Sequence, residues 1–262
     1  MKIIHCALLL SCAALASQAS AAAPVNLNVE HTNYSAGRGT RTITTADAVA
    51  AMAEDTKLYL TFSAGERRAN GERVRAGRVH ATLRHDWSSR LSTNVSAAVA
   101  TNGQVFARSE FGGDINYKLT DSVVATAGGK HASYLGGDHV TSWSGGLGYY
   151  GRGLTVTYRY SLLDSHFLGR SHAHLASVRL KDPGGSGSTQ LWFGRGTSLY
   201  DVVPQQSAKA GNFTSVTLRR EQPIAGGVKL NVGLNRAWYK TPTGNYRGTG
   251  LLVGVSVSNP FF

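Results

Sequence analysis

The stretch Leu154-Thr155-Val156-Thr157-Tyr158-Arg159-Tyr160-Ser161-Leu162 alternates between apolar and polar side chains along its length. Successive side chains of a β-strand point to opposite faces, so this segment has one apolar face and one hydrophilic face. The same period of two runs through Leu58 to Ala64, Arg78 to Arg84 and Val228 to Leu234. Marking every such segment yields fourteen, near residues 25–34, 40–53, 57–67, 74–87, 91–101, 110–119, 123–134, 140–151, 154–164, 172–181, 187–198, 211–221, 228–239 and 249–262. The chain is therefore expected to be all-β. The segments at 40–53 and 123–134 alternate poorly, which leaves a count of twelve open, and Ala46 to Ala53 also reads as a short helix.

A soluble sandwich alternates too, but three features favour a sheet that crosses a membrane. The segments run to about ten residues, the length a tilted spanning strand needs. Glycine is abundant, and aromatic side chains gather toward segment ends at Tyr59, Trp87, Tyr117, Tyr149, Trp238 and Tyr239. Rings at such positions suit the girdles of a barrel at the two membrane surfaces. The connections point the same way. Those after even-numbered segments are short, as at Glu54-Asp55-Thr56, Ser88-Ser89-Arg90 and Arg152-Gly153, whereas those at 102–109, 165–171, 199–210 and 240–248 are longer. Short periplasmic turns alternating with longer outer loops describe an antiparallel transmembrane β-barrel with both termini in the periplasm. An even count also lets the first and last strands pair and close the sheet. Such a barrel belongs in the outer membrane of a Gram-negative bacterium. No apolar run reaches the ~18 residues of a transmembrane helix.

The N-terminus agrees with export. Lys2 precedes a short apolar run, and Ala19-Ser20-Ala21 offers the small-residue pattern at which a signal peptide is cut. Residues 1–21 are expected to be that signal peptide and residues 22–262 the barrel. Leu9-Leu10-Ser11-Cys12 loosely resembles a lipidation site, but the better cleavage pattern lies downstream. Both cysteines, Cys6 and Cys12, fall inside the signal, so the mature chain would hold no disulfide and no thiolate metal site. Without Lys2 the formal charge falls from +12 to +11. That surplus suits anionic headgroups or an anionic solute, and its dispersal along the chain argues against nucleic acid. The chain ends Val253-Gly254-Val255-Ser256-Val257-Ser258-Asn259-Pro260-Phe261-Phe262, an amphipathic strand whose Val series is in phase with Phe261 rather than Phe262.

Three motifs carry a family resemblance. Phe106-Ala107-Arg108-Ser109-Glu110-Phe111 with Asp114-Ile115-Asn116 resembles the mid-chain signature of the YaiO family of outer-membrane β-barrels. Val178-Arg179-Leu180-Lys181-Asp182-Pro183, with Thr189-Gln190-Leu191-Trp192 and Arg195-Gly196-Thr197, is similar to a second signature, and Ala237-Trp238-Tyr239 with Thr241-Pro242-Thr243 to a third. The resemblance spans essentially the mature chain. It implies an outer-membrane barrel and brings no established activity with it.

Candidate sites follow from the polar face. Alternation turns Arg84, Lys118, Arg159, Arg179, Arg219 and Lys229 inward, together with the acids Glu30, Asp86 and Asp114. In an open lumen that cationic excess favours anions or saccharides; in a narrow one the charges pair across it and close it. Limited space inside fourteen strands tilts the expectation toward closure, and so toward a structural or surface-interaction role. Arg195 shares parity with Leu191 and Phe193 and should face the lipid, where near the surface it can meet anionic headgroups. A lipid-modifying enzyme is the third reading. It would draw on His166, His172 and His174 beside Asp164, Ser165 and Ser171, but these show no recognisable relay spacing. His172-x-His174 puts two imidazoles on one face, and a pair at a barrel rim is the plainer explanation than a metal site. Gly184 to Gly187 lacks the lysine and following helix of a phosphate loop. No catalytic residue, metal or cofactor is therefore assigned. The expected partners are outer-membrane lipids including lipopolysaccharide, the outer-membrane assembly machinery during insertion, and an anionic solute.

Overall fold

The computed structural model describes residues 24–167, 169–184, 187–197, 211–241 and 244–257. The expected signal peptide and the terminal Pro260-Phe261-Phe262 lie outside the described residues. The first half of the sheet comprises β1 (Val25–Tyr34), β2 (Gly39–Ala53), β3 (Thr56–Ala69), β4 (Glu72–Asp86), β5 (Leu91–Ala100), β6 (Ser109–Lys118) and β7 (Val123–Ser133). The second comprises β8 (His139–Tyr150), β9 (Leu154–Ser165), β10 (Gly169–Lys181), β11 (Ser188–Gly196), β12 (Asn212–Ala225), β13 (Val228–Thr241) and β14 (Gly244–Val257). Each strand pairs antiparallel with its neighbours in sequence, and β1 pairs with β14 from Val25↔Val257 to Tyr34↔Gly248. The ring is closed, so every strand has a partner on both sides and no edge remains.

Register then assigns the faces. Large apolar residues such as Val79, Phe111, Ile115, Leu147, Leu162 and Leu234 stand exposed on the outer face. Thr32, Ser63, Ser92, Ser177 and Asn231 are buried on the inner one. This inverts the burial of a soluble protein and is what lipid outside and polar groups inside demand. The apolar side chains are removed from water by acyl chains in place of a core.

Both poorly alternating segments are strands, which makes the count fourteen. The outer face of β2 is Thr40, Thr42, Thr44, Ala46, Ala48 and Ala50, while Ile43 and Val49 point inward. Small residues outside and apolar ones inside blur the pattern without breaking the ladder. Bonding to β1 and β3 on both sides also overrides the helical preference of Ala46 to Ala53. In β7 a glycine replaces an apolar outer residue: a Cβ on Gly129 would stand 2.9 Å from the Trp143 ring, which fills that space.

Two further expectations change. The connection expected at 240–248 is a short hairpin, because β13 runs to Thr241 and β14 starts at Gly244. Polar residues there belong to strands extended at their ends. Tyr59 and Tyr239 do not join an outer girdle; Tyr59 shares the inner face with Val49 and Thr82, and Tyr239 is buried inside. The connections after even-numbered strands are all short and define a turn end. At the opposite, loop end, β3 and β4 join through Asn70-Gly71, with φ of 53° and 79°, the left-handed pair that a two-residue hairpin requires.

Candidate functional site

At the loop end, the connection between β5 and β6 (residues 101–108) folds into the barrel instead of outward. Val105 is 1% exposed, and it packs with Phe106 on Ala76, against Ile43, Val74 and Ala100 of the inner wall. The segment is tied down at both ends, where Thr101 N donates to Gly77 O at 2.9 Å and Arg108 N to Ser133 O at 2.8 Å. Gly65 lies directly beneath it: a Cβ there would stand 2.5 Å from Val105 Cγ1 and 2.8 Å from Phe106 Cζ. Phe106-Ala107, read in the sequence as a family motif within a loop, is thus an inward wedge.

An aromatic group lines the wall on the strands around the closing seam. Tyr239 and Tyr246 stack with ring centroids 4.5 Å apart, and Tyr34 meets Tyr246 edge-on at 6.4 Å. Phe213 packs against them, and the Arg38 guanidinium lies 4.7 Å over the Tyr246 ring. Arg67, on the inner face of β3 and 7% exposed, lies within electrostatic reach of Tyr34, Tyr246, Arg41 and Arg38. A cavity of about 310 Å³ opens among Arg38, Arg67, Asn70, Glu72 and Gln104. Two arginines and one carboxylate line this polar cavity, with the Tyr246 ring next to it under Arg38, an arrangement that can hold a small anion or an acidic sugar through guanidinium bonds to the acid. We regard this vestibule as the candidate site. Arg38, Arg41 and Arg67 were not among the residues that alternation singled out, and nothing in the sequence showed that Tyr34 meets Tyr246 or that Phe106 turns into the lumen.

The nine charged residues picked from the sequence all stand on the inner face, elsewhere along the lumen. Arg84 bonds Asp86 on its own strand at 2.8 Å, and Glu30 accepts from Thr32 at 3.4 Å. Arg159 reaches Asp114 at 2.5 Å. Arg179 pairs with Glu221 at 2.9 Å, with Ser188 bridging, and Arg219 lies 5.6 Å from the Trp192 ring centroid. Lys118 and Lys229 make no ion pair among the described residues. Missing from the sequence selection were Glu110, which takes Arg78 at 2.9 Å and also Lys130, and Glu221 at the end of its marked segment.

These pairs do not cross the lumen, contrary to the expectation of mutual closure. They lie within one strand or join strands one to three apart in a ring of fourteen, so they run along the wall. Glycine makes this route available. A Cβ on Gly128 of β7 would stand 2.0 Å from Asp114 Oδ1, and one on Gly146 of β8 would stand 3.5 Å from Arg159 Cβ. The Asp114 side chain lies flat over the bare backbone of the strand beside its own. Gly128→Val is expected to lift Asp114 off the wall and destabilise the barrel by about 1–3 kcal/mol through overpacking. The urea midpoint of the barrel in lipid vesicles, with folded and unfolded forms separated by gel mobility, measures it.

The Ser–His grouping is divided by the sheet. Ser165 and Ser171 lie on the inner face, whereas His172 and His174 lie on the outer face. Ser165 Oγ donates to Asp138, His174 Nδ1 bonds Tyr158 OH at 2.8 Å, and His166 packs on Phe167. A hydroxyl and an imidazole on opposite faces cannot exchange a proton directly. His172 and His174 do share a face, with ring centroids 5.5 Å apart. Arg195 faces outward, opposite His174 and Thr214.

A closed fourteen-strand sheet, apolar outside and charged within, defines an outer-membrane β-barrel. The model of the YaiO membrane beta barrel domain matches residues 23–201, and the chain belongs to that family. The third motif, at 237–243, lies beyond the matched span. Among solved structures, the chain is similar to the "CymD monoaromatic hydrocarbon channel", with TM-score 0.62 and 8% identity over 91% of this chain and 88% of that one. It is also similar to a Pseudomonas aeruginosa FadL homologue, with TM-score 0.60 and 6% identity over 90% of each chain. A "Bacterial polysaccharide outer membrane secretin" matches with TM-score 0.55 and 7% identity, over 90% of this chain and 98% of that one. At such identities the likeness is one of fold.

Proposed function

We propose that this protein is a channel for small anionic solutes, acidic saccharides among them, set with its loop end outside the cell and its termini in the periplasm. The course of the inner charges supports this reading most strongly. Because Arg78–Glu110–Lys130, Asp114–Arg159 and Arg179–Glu221 run along the wall, they neutralise acids without blocking the axis. Lys118 and Lys229, which make no ion pair among the described residues, and an inner face that carries more arginine and lysine than acid then leave the lumen positive, which concentrates anions and repels cations. The wedge of Val105 and Phe106 narrows the entrance beside Arg67 and Arg38, so a solute passes the arginines at the tightest level. Channels and transport barrels among the structural neighbours are compatible with this reading through fold alone.

Reconstitution in a planar bilayer under a potassium chloride gradient tests it. Stepwise currents with a reversal potential on the chloride side are expected. A folded, inserted barrel that shows no steps would return the protein to a structural role, and a potassium-side potential would overturn the anion preference.

A further inference from the structure

The outer face carries its cations at one end. At the turn end, Arg220 is the one arginine or lysine that the described strands direct outward. It is neutralised within the protein: its guanidinium donates to both Asp182 oxygens, at 2.7 and 2.6 Å. That bond holds the Asp182 carboxyl below its usual range. At the loop end the outer face bears Arg68, Arg73 and Arg75 on β3 and β4, then Arg170, Arg195, Arg236, Lys240 and Arg247 on β10, β11, β13 and β14. Only Glu66 and Asp164 oppose them there among the described residues. Glu66 is shared by three arginines, with Arg68 at 2.7 Å, Arg75 at 3.0 Å, and Arg73. Arg195, Arg236, Lys240 and Arg247 have no ion pair among the described residues.

These four cations form an organised patch. Arg247 stands opposite Trp238, Trp238 opposite Thr214, Thr214 opposite Arg195, and Arg195 opposite His174, in one row across β14 to β10. Arg236 sits one step nearer the bilayer midplane, bonded to Thr249 and 5.9 Å from the Trp238 ring centroid. At the ~4.8 Å strand spacing, Arg195 and Arg247 are about 14 Å apart, enough to serve two separate phosphates. A guanidinium facing acyl chains costs about 2–4 kcal/mol at the midplane and roughly 0–1 kcal/mol near the surface. Arginines on this face therefore belong at headgroup level, where the counter-charge comes from lipid. Arginine, with its planar fork, suits phosphate, and tryptophan suits the boundary between sugar and acyl chain.

We propose that this patch binds lipopolysaccharide, the phosphorylated glycolipid of the outer leaflet, with Arg195, Arg236 and Arg247 on its phosphates and Trp238 against its sugar–acyl boundary. The choice of leaflet rests on the orientation proposed above. The uneven charge carries the choice of occupant: a membrane with the same phospholipid in both leaflets would give no reason for an unneutralised patch at one end alone.

The test uses the whole barrel in detergent micelles, with bound lipid counted by native mass spectrometry. Purified lipid A, phosphate-free lipid A and phosphatidylglycerol serve as probes. Lipid A is expected to bind at least roughly tenfold more tightly than either of the others, since each charge-assisted phosphate contact is worth about that factor. The triple variant R195Q/R236Q/R247Q is expected to lose most of this preference. Equal binding of phosphate-free lipid A to the unaltered protein overturns the proposal, and needs no variant to fold. So does equal binding of phosphatidylglycerol, which would mark a general anionic-lipid surface. Labelling of Leu135→Cys at the loop end in intact cells reads orientation separately. No labelling there overturns the choice of leaflet, whereas labelling together with undiminished lipid A binding by the triple variant overturns the site alone.

Discussion

Phe106→Ala combined with Val105→Ser is expected to raise single-channel conductance severalfold while leaving the barrel folded. The two side chains are the apolar contents of the in-folded segment and pack on Ala76, Ile43, Val74 and Ala100. Truncating a buried phenylalanine alone costs about 3–5 kcal/mol, which is large for a segment of eight residues whose backbone is bonded to the strands and loops around it at its two ends, Thr101 and Arg108. The loss falls on the segment, not the sheet, because none of the fourteen ladders passes through residues 101–108. The opposite manipulation gives an internal control. Gly65 and Val105 are in van der Waals contact, and no cysteine follows Cys12 in the sequence. A Gly65→Cys/Val105→Cys crosslink is therefore expected to lower conductance until reductant restores it. Unchanged conductance in a folded Phe106→Ala/Val105→Ser barrel would show that the segment does not set the narrow point.

The second large effect concerns selectivity. Arg38→Gln with Arg67→Gln removes two positive charges from beside the cavity, and the reversal potential under a salt gradient is expected to move most of the way to zero. Fields of this kind are screened over about 10 Å at 0.1 M salt and about 3 Å at 1 M. The unaltered channel should accordingly discriminate less as salt rises, and the double variant should show little further change. Arg195→Gln with Arg236→Gln, equal in charge removed but on the outer face, is expected to leave selectivity untouched. If it shifted the potential as much as the inner pair does, the control by the vestibule would be disproved.

The strand count, the closure and the inner placement of Arg159 or Arg219 were legible because parity is a local property. One residue decides the face of the next, so a strand read correctly at Leu154 assigns Arg159 without any knowledge of its partners. The vestibule was not legible, for the same reason. Tyr34 and Tyr246 stand more than two hundred positions apart in sequence and meet only because β1 closes on β14. Phe106 sits in a connection with no parity at all, and composition alone gives no sign that a loop turns inward. Charge pairing was foreseen in kind but not in direction, because the bare backbone at Gly128 and Gly146 that lets Asp114 and Arg159 lie along the wall becomes visible only once the register of β6 to β9 is known. The small-residue outer face of β2 hid a strand by offering too little apolar volume to read.

The seam between the first and last strands has a consequence in time. Thirteen of the ladders join neighbours in the chain and can form as hairpins in succession, but β1 to β14 joins residues separated by nearly the whole described length. Its ordering cost must be met before its hydrogen bonds are gained, so closure is the slow, concerted last event of assembly. Until then β1 and β14 each present a row of unmatched amides, and a curved sheet with two open margins is the form most prone to join another chain. Variants that weaken β14, at Gly254 under Asn28 for instance, should therefore betray themselves first as slow folding and aggregation, with the finished barrel losing comparatively little resistance to urea.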